Sequence, residues 1–361
     1  MKVSPRLIAF YLPQYHPIPE NDEWWGKGFT EWTNAAKARP LYPGHYQPRL
    51  PADLGFYDLR VPETRDQQAR LGMDYGLESF CYYHYWFGGK QLLERPLQDV
   101  VRAGKPDFGF CVCWANQTWT GIWHGCPDRV LAEQTYPGDD DHRAHFDALL
   151  PMFADRRYTR VNGKPLFLIY RPMDIPDTRR TLDFWRDMAV RAELGGLHMV
   201  AVHESPDWCP GEQGFDAFVN PRLPQRRGWV SRRNTLKWLK QKQEILRGFP
   251  TIHEYEKVLP ALLPDTEPRG RRYPCVIPNW DNTPRSGSNG LVLHNSTPEL
   301  FQRHFRQALA MTAQDQGDDR LIFVKSWNEW AEGNYLEPDR QYGLRYLEAI
   351  RDELVQDAQC S

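Results

Sequence analysis

The sequence predicts an α/β fold, a single (β/α)8 barrel, on three observations. Eight short apolar runs rich in β-branched and aromatic residues recur along the chain. The segments between them are long enough to hold helices, as βα units require. The turn after the first run, Tyr11-Leu12-Pro13-Gln14-Tyr15-His16, is stiff and aromatic, whereas an open doubly wound sheet requires a glycine-rich phosphate turn there. The length of 361 residues agrees, since one barrel with insertions occupies roughly 250 to over 400. The whole of 1–361 therefore reads as one catalytic domain.

In chain order the runs are Leu7 to Tyr11, Leu77 to Tyr83, Phe108 to Trp114, Pro165 to Tyr170, Met199 to His203, Phe215 to Val219, Pro274 to Pro278 and Leu321 to Lys325. Helical patterns lie between them at Glu63 to Leu71, Asp141 to Ala154, Thr181 to Leu194 and Pro298 to Met311, with a proline, threonine or aspartate at the start. Two connections are unusually long. Residues 13–61 hold many aromatics and prolines but little periodicity, and loops of that length in compact domains are usually functional or disordered. Their aromatics favour an ordered cover over an active site. Residues 222–272, after the sixth run, carry Arg226-Arg227, Arg232-Arg233, Lys237, Lys240 and Lys242 interleaved with Trp238, Leu239, Ile245 and Leu246. That pattern predicts an amphipathic helical insertion with a solvated basic face. A clamp for acidic sugar or pyrophosphate groups is the alternative.

Lys plus Arg total 45 against 47 Asp plus Glu, and a net charge of −2 argues against general nucleic-acid affinity. The apolar run within Met1 to Phe10 is too short for a signal peptide, and no later stretch approaches the roughly 20 apolar residues of a membrane helix. Seven cysteines contain no CxxC pair, so neither a zinc knuckle nor a disulfide framework is indicated. The expectation is a soluble, cytoplasmic protein without membrane insertion. Fourteen tryptophans and 17 tyrosines include several in polar stretches such as Glu23-Trp24-Trp25-Gly26. They offer planar faces for sugar rings, and equally the ordinary filling of a large barrel.

Barrel chemistry sits on the loops leaving the C-terminal ends of strands. Those positions hold Tyr11 and His16, then His84, Tyr85 and Trp86, then Trp114 and Asn116. Further on come Tyr170 and Arg171, His203 and Glu204, Asn220, Asn279-Trp280-Asp281-Asn282, and Asn328, Glu329 and Glu332. Glu329 and Glu332 stand three residues apart among Trp327 and Trp330, and a carboxyl pair beside aromatic surfaces points to glycoside chemistry. Shielding from water raises a carboxyl pKa, which suits one member to be a proton donor. The usual retaining arrangement instead opposes two carboxylates across the anomeric carbon, about 5–5.5 Å apart. Two glutamates on one loop lie on the same side, so either Glu204 or Asp281 supplies the second group or the mechanism differs. His16, His84 and Glu31 have no compact metal-ligand spacing, and neither metal nor cofactor is expected.

The segments Phe10-Tyr11-Leu12-Pro13-Gln14-Tyr15-His16-Pro17, Gly28-Phe29-Thr30-Glu31-Trp32, His45-Tyr46-Gln47-Pro48, Tyr82-Tyr83-His84-Tyr85-Trp86-Phe87, Trp114-Ala115-Asn116, Pro278-Asn279-Trp280-Asp281-Asn282-Thr283 and Asn328-Glu329-Trp330-Ala331-Glu332-Gly333 resemble the WbsX-type family across essentially the whole chain. That family is often labelled glycosyltransferase and is similar to the endo-α-mannosidases of glycoside hydrolase family 99. In those enzymes an Asn-Glu-Trp-x-Glu-Gly segment supplies both catalytic groups, and the reaction passes through a 1,2-anhydro sugar.

The resemblance implies that Glu329 acts as base on the substrate's own 2-hydroxyl, while Glu332 protonates the leaving oxygen and later activates water. Back-side attack by O2 requires a 1,2-trans linkage, as in α-mannosides and α-rhamnosides. Ala331 stands where the mannosidases commonly have histidine, which leaves the sugar open. Tyr11, Tyr15, His16, Trp32, His84, Tyr85, Trp114, Asn116, Tyr170, Asn279, Trp280, Asp281, Asn328 and Trp330 are the expected sugar-binding residues.

The leading expectation is a retaining, endo-acting hydrolase of a bacterial poly- or oligosaccharide. The second is a glycosyltransferase of O-antigen or capsule assembly, although neither a phosphate turn nor an Asp-x-Asp motif is evident outside Asp139-Asp140-Asp141. A non-catalytic carbohydrate-binding barrel ranks last because both glutamates are present.

Overall fold

The computed structural model describes residues 4–121, 126–202, 208–224, 246–264 and 269–359. Eight strand runs form one parallel ring: β1 (Arg6–Tyr11), β2 (Ser79–Phe87), β3 (Gly109–Trp114), β4 (Lys164–Ile169), β5 (His198–Val202), β6 (Ala217–Val219), β7 in two pieces (Arg272–Tyr273 and Cys275–Val276) and β8 (Leu321–Val324). The first piece of β7 pairs with β6, Phe218 opposite Arg272, and the second with β8, Cys275 opposite Phe323. Pro274, which has no N–H to give a ladder, sits where the strand changes partner. Its carbonyl accepts from Phe323 N at 2.9 Å. Pairing of β8 with β1, Leu7 opposite Ile322, completes the barrel.

The strands are buried nearly end to end, which is why they stand out as apolar runs. All eight predicted runs are strands. β2 passes its predicted end at Tyr83 because its last residues turn back through Gly88 and Gly89 and pair with Lys90–Leu92. That hairpin carries Tyr85 above the barrel rim.

Ten helices are described: α1 (Pro19–Trp25), α2 (Glu31–Lys37), α3 (Pro62–Asp74), α4 (Arg95–Ala103), α5 (Asp139–Phe153), α6 (Thr178–Arg191), α7 (Tyr255–Leu262), α8 (Thr283–Ser286), α9 (Pro298–Met311) and α10 (Arg345–Gln359). Pro62 and Pro298 start α3 and α9, where a missing N–H costs nothing. Thr297 adds a side-chain cap, accepting from Leu300 N at 3.3 Å. Between β5 and β6 the described residues hold a 3-10 turn, Pro210–Gln213.

Much of the predicted helical insertion over 222–272, including the basic run from Arg226 to Lys242, lies outside the described residues. Its described part is mixed: the strand Thr251–Glu254 pairs in parallel with Leu291–His294, and α7 follows. The loop over 13–61 is ordered, contains α1 and α2, and folds across the C-terminal mouth of the barrel. No helix among the described residues is long and apolar enough to cross a membrane.

Candidate active site

The chain leaving β8 makes a tight hairpin in which Asn328–Glu329 pairs with Asn334–Tyr335 around a 3-10 turn, Trp330–Glu332. Its base is fastened to β1. Trp327 N donates to Phe10 O at 2.7 Å, and the Asn328 side chain accepts from Leu12 N at 2.7 Å and donates to Leu12 O at 3.1 Å. Gly333 allows the turn to close. It has φ +53°, and a Cβ there would lie 2.8 Å from Asp281 Cβ and 2.9 Å from Asp281 N. The reward for this approach is a hydrogen bond from Asp281 N to Glu332 O at 2.7 Å. The hairpin thereby sets the carboxyls of Glu329 and Glu332 side by side, sharing a hydrogen bond.

Their surroundings are unequal. Lys325 Nζ donates to Glu329 Oε1 at 3.2 Å and to Tyr83 OH at 2.9 Å. Arg285 bridges two carboxyls, donating through Nη1 to Glu332 Oε1 at 2.6 Å and through Nη2 to Glu31. Burial by itself would raise the pKa of Glu329, but Lys325 and the shared proton of Glu332 hold it below the usual carboxylate range. Burial pushes Glu332 up to about 8, reinforced by the negative charge of Glu329 and only partly opposed by Arg285. A charge count explains the split: Glu31, Glu329 and Glu332 face two cations, Arg285 and Lys325, so one carboxyl keeps its proton at neutral pH. Glu329, beside Lys325, is the one that ionises despite its burial, and Glu332 keeps the proton.

These groups open into a cavity of about 610 Å3 at the C-terminal ends of the strands. Of the strand-end residues picked out from sequence, Glu329, Glu332, Tyr85, Tyr170, Arg171, Trp280 and Asn282 line it. The others stand behind its wall. Tyr11 OH donates to Gln68 at 2.8 Å, Tyr15 OH to Asn328 O, and the Trp32 indole to Tyr57 O at 2.9 Å. The His16 ring meets Pro13 O at 3.1 Å. His84 pairs with His145 of α5 at 2.8 Å, and burial lowers its pKa to about 3. Trp114 is enclosed beside the same histidine. Asn116 clips Arg171, accepting from its N at 2.7 Å and donating to its O at 2.8 Å. Asn279 accepts from Tyr335 N at 3.0 Å, and Trp330 stacks on Tyr335 with centroids 3.9 Å apart.

Asp281, weighed above as a second catalytic carboxylate, is fully enclosed. It accepts from Gln47 Nε2 at 2.7 Å and Thr283 Oγ1 at 2.6 Å and pairs with His45 at 2.7 Å, pinning the 13–61 loop to the end of β7. Glu204 lies outside the described residues. The site also contains Trp25, noted above as a possible sugar platform, and groups not predicted as site residues: Tyr83, Lys325, Arg285, Glu31, Asn21 and Trp119. Period-two alternation was the available signal for Tyr83, since it shares a strand face with Tyr85 while His84 and Trp86 point to α5. No comparable pattern marked Arg285 or Asn21.

A barrel that gathers coupled carboxyls, two lysine and arginine cations and aromatic walls at the C-terminal ends of its strands has the architecture of a barrel enzyme. The chain belongs to the family described as Glycosyltransferase WbsX, whose profile matches residues 7–350. Two curated relatives, each named uncharacterized protein WxcX and found in strains of Xanthomonas campestris pv. campestris, are 40% identical over 97% of this chain. The chain spans about half their length, 49% in each case. Among solved structures it is similar to the GH99 endo-alpha-mannosidase from Bacteroides thetaiotaomicron, with TM-score 0.56, 16% identity and 98% of both chains covered. A glycoside hydrolase-like protein matches at TM-score 0.56 and 13% identity, covering 97% of this chain and 94% of that one. The barrel fold is therefore shared with solved glycoside hydrolases.

Proposed function

We propose that the protein is a retaining glycoside hydrolase, endo-acting on 1,2-trans linkages of a bacterial poly- or oligosaccharide. The observation that carries this reading is the adjacent pair on one hairpin in the cavity, Glu329 held by Lys325 at 3.2 Å and Glu332 by Arg285 at 2.6 Å, an arrangement that favours an ionised Glu329 and a protonated Glu332. Two carboxyls on one hairpin cannot flank an anomeric carbon from opposite sides, so neither is placed as the nucleophile of the usual arrangement. The substrate's own 2-hydroxyl fills that part. Glu329 takes its proton as O2 attacks the anomeric carbon from behind, while Glu332 donates to the departing oxygen. Glu332, now ionised, draws a proton from the water that opens the 1,2-anhydro ring with net retention, and Glu329 returns its proton to O2. Tyr83, Tyr85, Tyr170 and Trp280 surround the reacting ring with hydroxyls and apolar faces.

The family's description favours a second reading, a glycosyltransferase of O-antigen or capsular polysaccharide assembly. One experiment separates the two. Purified protein is incubated with defined 1,2-trans oligosaccharides in plain buffer, and in parallel with nucleotide sugars. Cleavage in buffer alone, reduced about 100-fold or more in Glu332→Gln, supports the hydrolase; product growth that depends on nucleotide sugar contradicts it.

A further inference from the structure

The cavity wall contains a buried carboxamide, Asn21, that the described residues leave unanswered. Asn21 is the single buried residue of α1 and has no solvent exposure, yet among the described residues neither its Nδ2 nor its Oδ1 has a hydrogen-bond partner. It lines the same cavity as Glu329 and Glu332. Trp25 lies one helical turn further on, on the same face of α1, and Phe29 and Trp119 line the cavity with it. A buried carboxamide without partners destabilises the empty protein, and an apolar side chain would pack there at no such cost. The arrangement is therefore suited to something that arrives.

We infer that Asn21 and Trp25 form a specificity-determining subsite that reads two adjacent free hydroxyls on one uncharged sugar residue. This inference rests on the carbohydrate reading above and adds the substrate class to it. A carboxamide presents one donor and one acceptor in a plane. Neighbouring pyranose hydroxyls can accept from Nδ2 and donate to Oδ1 together, while the C–H face of the ring lies on the indole. A carboxylate or phosphate on the sugar would face Oδ1 with no donor of its own. The cations of the cavity among the described residues are already paired: Lys325 and Arg285 with Glu329, Glu31 and Glu332, and Arg171 with Asp174 at 3.4 Å. The described residues thus favour a neutral glycan, and substitution of either hydroxyl by an ether, an ester or hydrogen removes half of the recognition.

The test uses the intact chain and saturation-transfer NMR with methyl α-mannopyranoside and methyl α-rhamnopyranoside, each with its singly deoxygenated and singly O-methylated derivatives. In the wild type, loss of either of two neighbouring hydroxyls is expected to weaken binding about tenfold, and this penalty is expected to fall below about twofold in Asn21→Leu. Asn21→Leu is also expected to melt no lower than the wild type, because it removes an unsatisfied buried amide; Asn21→Thr serves as a second variant. Equal penalties in wild type and variant, or a clearly lower melting temperature for both variants, would overturn the subsite. Binding of the parent sugars without any such penalty overturns the subsite and leaves the hydrolase reading standing. Absence of binding by every sugar, with the variants as stable as wild type, counts against the carbohydrate reading and the subsite together.

Discussion

At the scale of single residues, function turns on which carboxyl holds the proton. Glu332 donates only while protonated, so activity is expected to fall as pH rises through about 8. Glu329 accepts only while ionised, and its depressed pKa keeps it so into acid below the ordinary carboxylate range. The sign for stability follows: the folded protein retains a proton on Glu332 that the unfolded chain releases. Stability from this group is therefore full below the ordinary carboxyl range and is lost as pH climbs to about 8. Lys325→Met removes the cation 3.2 Å from Glu329. The acidic limb of the pH–rate profile is expected to move about 1–3 units toward neutrality, whereas an unmoved limb would show that Lys325 is only packing. The carboxyl pair was legible as a unit because its spacing and motif are local, and both members line the cavity. Most of the aromatic and amide candidates stand outside that cavity, because strand ends identify the mouth of the barrel and not the direction of each side chain. Trp114, Asn116 and Asn328 are at the right end and face the wrong way for a ligand.

At the scale of elements, the site is built where two long-range clasps meet. The β8 hairpin is tied to β1 through Asn328, and the 13–61 loop is tied to the end of β7 through Asp281. Asp281→Ala strands His45, Gln47 and Thr283 in a fully buried position and is expected to cost about 3 kcal/mol or more. A lowered denaturation midpoint and faster hydrogen exchange over 13–61 would register it. The strands were legible because burial on both faces writes each as a continuous apolar run. The break in β7 at Pro274 was not, since it depends on which neighbour each half meets. The loop of 13–61 was expected to cover the site and does. Its helices α1 and α2 were missed because each is only seven residues long, two turns being too few for an amphipathic period to show.

At the scale of the whole molecule, one barrel holds the proposed acid and base, the two cations paired with them and the cavity into which they open. The relatives are about twice as long, yet the residues assigned here to bond cleavage all come from this chain. On the proposed mechanism, this chain is therefore expected to cleave substrate by itself. The central claim is that the substrate's O2 does the work of a missing opposed carboxylate. It is tested most directly by comparing turnover of a cleavable α-mannoside or α-rhamnoside with that of its 2-O-methyl counterpart, following product configuration by NMR. Cleavage of the parent with retained configuration, and binding without cleavage of the 2-O-methyl compound, is the predicted result. Comparable turnover of the 2-O-methyl compound would contradict it.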